Sequence, residues 1–177
     1  MTPQDWARLD ALSRSTGQWL EQHAAVLCTA ESCTGGWIAQ TVTATAGSSA
    51  WFDRAFVTYS NQAKQDMLGV RADTLLAHGA VSEATVREMA EGALARSQAS
   101  HALAVSGIAG PGGATPGKPV GTVCLAWAVR HGPTLAETCH FSGDRETVRL
   151  QAVLRALERL PQLPRLPDSE TDHTHGR

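Results

Sequence analysis

Three short apolar runs divide the chain, and each gives way to a polar or glycine-rich turn. The first, Ala24 to Thr29, leads into Glu31-Ser32-Cys33-Thr34-Gly35-Gly36 and then to Trp37, Ile38, Thr41 and Val42 at helical spacing. The second, Ala55-Phe56-Val57-Thr58-Tyr59-Ser60, precedes Asn61, an expected helix N-cap, and a helix carrying Ala63, Met67 and Leu68. The third, His101 to Val105, ends in Ser106-Gly107-Ile108-Ala109-Gly110-Pro111-Gly112-Gly113. Apolar runs this short, bounded by turn residues, read as buried strands. Strands that alternate with helices restrict the chain to an α/β architecture, expected here as a single three-layer domain with a mixed β-sheet flanked by helices.

The remaining segments fit that frame. Trp6, Leu9, Leu12, Trp19 and Leu20 predict an amphipathic helix over residues 5–22, and Ser82-Glu83-Ala84-Thr85 opens another that runs to about Ser97. Val120 to Val129 and Thr134 to Phe141 read as a hairpin pair. Ser142-Gly143-Asp144-Arg145 turns into a last helix whose apolar face is Leu150, Val153, Leu154 and Leu157. Residues 1–160 are expected to form the domain, and 161–177, rich in Pro, His and Asp, a disordered tail.

A formal net charge of -2 provides no basic excess with which to track a nucleic-acid backbone, so the expected ligand is a small molecule. No stretch of about 18 apolar residues predicts a membrane span. Met1-Thr2-Pro3-Gln4-Asp5 has neither a basic start nor an apolar run, so the expected location is the cytoplasm, where thiols stay reduced. Cys28 and Cys33 have no second pair at the same spacing to make a zinc site with, and buried thiols are the expectation for them and for Cys124 and Cys139. A homo-oligomer, with a two-fold dimer favoured, is the expectation from the prevalence of that symmetry.

Reactive groups fall at the turns. Ser32 lies where a strand ends and a helix begins, a position at which unpaired main-chain N–H groups and the helix dipole favour a developing oxyanion. Alternatively, Ser32 or Thr34 simply caps the helix, with Gly35 and Gly36 keeping the turn open. A serine nucleophile needs a base. Lys64, one of only two lysines, can converge with Tyr59 across the Ser60-Asn61 turn, and in a closed site burial would bring its amine towards neutrality. The alternative for Lys64 is a solvated surface charge. Tyr59, the only tyrosine, is either a proton relay or hydrogen-bond donor near Ser32, or an ordinary half-buried strand residue. The 106–113 loop, with Ser106, Gly107, Gly110, Gly112 and Gly113, suits a backbone wrapped closely around a ligand, or is an irregular turn; it lacks the Walker lysine ending. Arg145, at a helix start, can hold a phosphate or carboxylate, or form a surface ion pair with Asp144 or Glu146. Cys33 competes as a nucleophile only on proximity to Ser32.

Read together, Thr29-Ala30-Glu31-Ser32-Cys33-Thr34-Gly35-Gly36, Phe56-Val57-Thr58-Tyr59-Ser60-Asn61-Gln62-Ala63-Lys64, Val105 to Gly113, Lys118-Pro119-Val120-Gly121-Thr122-Val123 and Phe141-Ser142-Gly143-Asp144-Arg145 closely resemble the CinA C-terminal domain family, over about residues 10 to 160. The resemblance implies a nicotinamide mononucleotide amidohydrolase that needs no metal or organic cofactor. It implies Ser32 as nucleophile, Lys64 as general base and Tyr59 close by, with Arg145, the 106–113 loop and the Thr34-Gly35-Gly36 turn around the ligand. Two departures are Ser106, where the family often has threonine, and Ala55, where it often has glycine; neither removes a reactive group. Longer family members carry an N-terminal nucleotide-processing domain, which is expected to be absent here. Other readings are a binding module that partners competence or DNA-repair proteins, a hydrolase of a different amide, and a phosphate-binding protein without chemistry.

Overall fold

The computed structural model describes residues 1–163. Helix α1 (Pro3–Gln22) starts at a capping box in which the Thr2 and Asp5 side chains each accept the other's backbone N–H, with Pro3 at the first helical position. Strand β1 (Leu27–Glu31) is buried throughout. After it come α2 (Trp37–Thr43), β2 (Phe52–Val57), α3 (Asn61–Leu68), α4 (Ala72–His78) and α5 (Glu83–Ala95). The chain then runs through β3 (His101–Gly107), β4 (Thr122–Val129), β5 (Thr134–His140) and α6 (Arg145–Arg159), ending in a short 3₁₀ turn, Leu160–Gln162.

The five strands form one mixed sheet in the order β2-β1-β3-β4-β5, parallel across β2-β1-β3 and antiparallel from β3 to β5. The fold is thus the expected α/β arrangement, with several boundaries moved. The first strand begins at Leu27, because Ala24 takes a left-handed φ of 47° that ends α1 and turns the chain. The second covers 52–57, and Ser60 rather than Asn61 caps α3, accepting the Ala63 N–H. Helix α4 was not foreseen; it buries only Thr74 and Leu75, too few positions to set a period. Leu163, expected in the tail, is instead buried in the core, and the rest of that stretch, residues 164–177, lies outside the described residues.

Side chains alternate across the sheet and make two different cores. Leu103, Val105, Val123, Leu125, Trp127 and Val129 face α1, α2 and α6. Ala102, Ala104, Cys124, Ala126 and Ala128 face α5 and its neighbours. Only small residues lie under α5, so the helix sits close to the sheet. Gly92 permits the same closeness to α3, since a Cβ there would lie 2.0 Å from the Leu68 carbonyl oxygen. Gly92→Ala is expected to destabilise the fold by about 2 kcal/mol or more, read as a lower urea midpoint, because backbone rather than a flexible side chain would have to move.

Strand order decides where a ligand can enter. From β1 the chain crosses through α2 to β2 on one side, then through α3–α5 to β3 on the other. The first crossover runs outward from β1 to β2 and the second runs back from β2 to β3, so the strand order reverses beside β1, and the carboxyl end of such a strand is the usual ligand position in these sheets. Residues that follow β1, β2 and β3 all reach that edge.

Candidate active site

Ser32 follows β1 directly, and its N–H donates to the Val105 carbonyl on β3 at 3.0 Å. The next turn is organised by Glu31. Strand alternation sends this carboxylate to the α2 side, where it is fully buried. One oxygen accepts from Thr34 Oγ1 at 2.7 Å, Gly36 N at 3.1 Å and Ile38 N at 3.0 Å, and the other from Ala39 N at 2.9 Å. Glu31 therefore satisfies the open N-terminus of α2, whose N-cap residue, Gly36, offers no side chain. This overturns the capping alternative for Ser32 and Thr34: the cap comes from a residue before the turn. The sequence signal for this is a glutamate at the end of a buried strand, directly before the turn.

Freed from capping, Ser32 turns its hydroxyl to the opposite face, where α3 delivers Lys64. Ser60 caps that helix, so Lys64 falls within its first turns and folds back over the end of β2. Lys64 Nζ lies 3.0 Å from Ser32 Oγ and donates to the Thr58 carbonyl at 2.8 Å. The side chain is only 1% exposed, with no carboxylate in ion-pairing range among the described residues, which overturns the solvated-surface alternative. Burial holds its pKa below the usual lysine value.

Tyr59 is 64% exposed, and its hydroxyl meets Arg145, not Ser32 or Lys64. Arg145 makes neither of the surface ion pairs weighed for it. Its Nη1 donates to the Gly110 carbonyl at 2.8 Å and its Nη2 to Tyr59 Oη at 3.2 Å, so it ties the glycine loop to the end of β2. Asp144 caps α6 instead, and Glu146 pairs with the N-terminal amine. The Arg145–Tyr59 pair is exposed, whereas Ser32 and Lys64 are buried.

The loop after β3 is a tight structure. Gly107 passes so close to β4 that a Cβ would lie 2.7 Å from Val123 Cγ2, and Gly110 and Gly113 take φ values of 86° and 91°. Nothing crowds Gly112, and Ser106, which pairs with Cys124 across the ladder, is buried. Thr34, Gly35 and Gly36 line an open depression of about 280 Å³ on the α6 side of the turn, bordered by Trp6, Trp37 and Arg149. Arg149 was not foreseen from sequence. Its Nε donates to the Cys33 carbonyl at 3.0 Å and its Nη2 to the Thr34 carbonyl at 2.8 Å, with the guanidinium over the Trp37 ring.

Cys33 is buried, and desolvation pushes its thiol up to about 12, leaving it protonated and a poor nucleophile. Cys28 and Cys33 belong to opposite cores, which prevents them from sharing a metal. Among the described residues no group of three or more His, Cys, Asp or Glu is placed to hold a metal ion. No helix among them is long and apolar enough to cross a membrane.

A scan of known families matches residues 9–163 to the model described as CinA C-terminal domain. The chain belongs to the CinA C-terminal domain family. Among members of this family, "Nicotinamide-nucleotide amidohydrolase PncC" of Escherichia coli K12 is 54% identical over 156 residues, covering 88% of this chain and 94% of that protein. The protein of the same name from Pseudomonas putida is 48% identical, covering 88% and 96%. A solved CinA-family structure, the competence/damage inducible protein from Agrobacterium tumefaciens, superposes with a TM-score of 0.84 at 49% identity, covering 86% of this chain and 93% of that one.

Proposed function

We propose that the protein is a nicotinamide mononucleotide deamidase that works through a Ser32/Lys64 acyl-enzyme. The observation that carries the reading is the buried Lys64 amine 3.0 Å from the Ser32 hydroxyl, at the crevice where strand order reverses. The PncC names of near full-length relatives support the substrate. Domain 1–160 is the catalytic unit, acting on a small molecule in the cytoplasm, and a two-fold dimer is its proposed assembly.

Neutral Lys64 takes the Ser32 proton as Oγ attacks the carboxamide carbon. The C=O pair moves to oxygen, which main-chain N–H groups left free in the turn after Ser32 receive. Collapse of the adduct expels the amide nitrogen, which takes the proton from Lys64 and leaves as ammonia. Water, deprotonated by the same amine, then cleaves the acyl-serine to nicotinate mononucleotide. Arg145 and the amides of the 106–113 loop hold the phosphate, and Tyr59 positions Arg145 at the rim.

The test is ammonia release from nicotinamide mononucleotide, run across pH beside a panel of other amides. The acylating form has an uncharged lysine, so kcat/KM is expected to climb about tenfold per pH unit on the acid side and to level once Lys64 has lost its proton, below the usual lysine range. Turnover of other amides alone would replace the substrate, phosphate affinity without turnover would leave a binding protein, and a profile flat from about pH 5 to 9 would remove Lys64 as the base.

A further inference from the structure

Peptide groups at the nucleophile turn are held on one side only. In a trans peptide the C=O and the N–H point in opposite directions, so a bond that fixes a carbonyl also aims the N–H of the next residue. The Ser32 carbonyl accepts from Gly35 N at 3.0 Å, which fixes the Cys33 N–H. That N–H has no acceptor among the described residues. The Cys33 carbonyl accepts from Arg149 Nε at 3.0 Å, which fixes the Thr34 N–H. The next two N–H groups are occupied, Gly35 by the Ser32 carbonyl and Gly36 by Glu31. The Thr34 N–H, like that of Cys33, is left without an acceptor among the described residues, and it is the one whose peptide a side chain anchors.

Its direction follows from the layers. Arg149 stands on α6, on the side of the sheet towards which Glu31 points. The Cys33 carbonyl faces α6, so the Thr34 N–H faces away from it, towards the side where Ser32 meets Lys64. A guanidinium on the carbonyl also polarises the peptide and makes its N–H a stronger donor. The Trp37 ring under the guanidinium, 5.2 Å from its centroid, and the second bond to the Thr34 carbonyl restrain Arg149 itself.

We propose that Arg149 is a positioning residue for the oxyanion site: by anchoring the Cys33 carbonyl it presents the Thr34 N–H to the oxygen that turns negative when Ser32 is acylated. Arg149 touches main chain rather than the reacting atoms. The proposal rests on the acyl-serine reading, and its experiment separates the two.

Arg149→Met and Arg149→Lys are each assayed for kcat and KM on nicotinamide mononucleotide. In parallel, Ser32 labelling by a fluorophosphonate is followed by mass spectrometry. That reaction bonds Oγ to phosphorus, releases fluoride and builds negative charge on the phosphoryl oxygen without needing the nucleotide. The Met variant is expected to lose about tenfold or more in kcat and in labelling rate together, with KM within about threefold of the original. The Lys variant keeps a cation and a donor over Trp37, so it folds even if the Met variant does not, and should fall between. Unchanged kcat and labelling in either folded variant would overturn the proposal, as would a rise in KM at constant kcat, which would place Arg149 on the substrate. If the unaltered protein is labelled but does not turn over the nucleotide, the substrate reading fails and the labelling rates alone decide on Arg149. If Ser32 resists the reagent altogether, both fall.

Discussion

Ser32→Ala is expected to abolish ammonia release from nicotinamide mononucleotide, by about 10⁴-fold or more, while leaving the unfolding midpoint within about 1 °C of the original. The hydroxyl's one recorded side-chain partner is the Lys64 amine, so its removal leaves α2, its cap and the sheet untouched. Lys64→Met is expected to cost a similar factor, because the serine loses its base, and to alter stability in a different way. Below its folded pKa the buried ammonium burdens the native state. Between that value and the usual 10.5 the unfolded chain binds more protons than the native one, so the stability of the unaltered protein rises with pH across the window. The methionine variant lacks this slope. Ammonia assays with urea unfolding at several pH values check both parts, and a folded Ser32→Ala that keeps full activity would end the serine mechanism.

The second large effect belongs to Glu31, one residue earlier on the opposite face. Glu31→Ala strands three main-chain N–H groups, at Gly36, Ile38 and Ala39, and the Thr34 hydroxyl in a buried setting. With each charge-assisted bond worth about 1.5–3 kcal/mol, and some of the donors regaining water, the expected loss is about 3 kcal/mol or more. Glu31→Gln retains one acceptor oxygen and should lose roughly half as much. Urea unfolding distinguishes the two. A loss under about 1 kcal/mol for the alanine variant would mean that water can cap α2 unaided.

Much of this was legible before any coordinates. Strands and helices alternate in the text of the chain because a strand buried on both faces leaves a short, mostly apolar run, and β1 and β3 are such strands. Ser32 and Lys64, each open to an ordinary use as a helix cap or a surface charge, stood out only when the motifs around them were read together. Their convergence was not readable from spacing alone, since it depends on β1 and β2 lying side by side in parallel. Arg149 left no trace at all. It sits on an amphipathic helix among other arginines, and only the three-dimensional position of the Cys33 and Thr34 carbonyls distinguishes it from Arg145, one turn earlier. The role of Glu31 is hidden for a different reason: capping is normally sought at the residue next to the helix, whereas here a long side chain reaches across the turn from the preceding strand.

Ser32 follows β1, Tyr59 and Lys64 follow β2, and Arg145 opens the helix after β5, so these residues meet only because the sheet has formed. On the proposed mechanism, a chain that ends before Lys64 has a serine without its base, so it is expected to release no ammonia until β2 and α3 lie alongside β1.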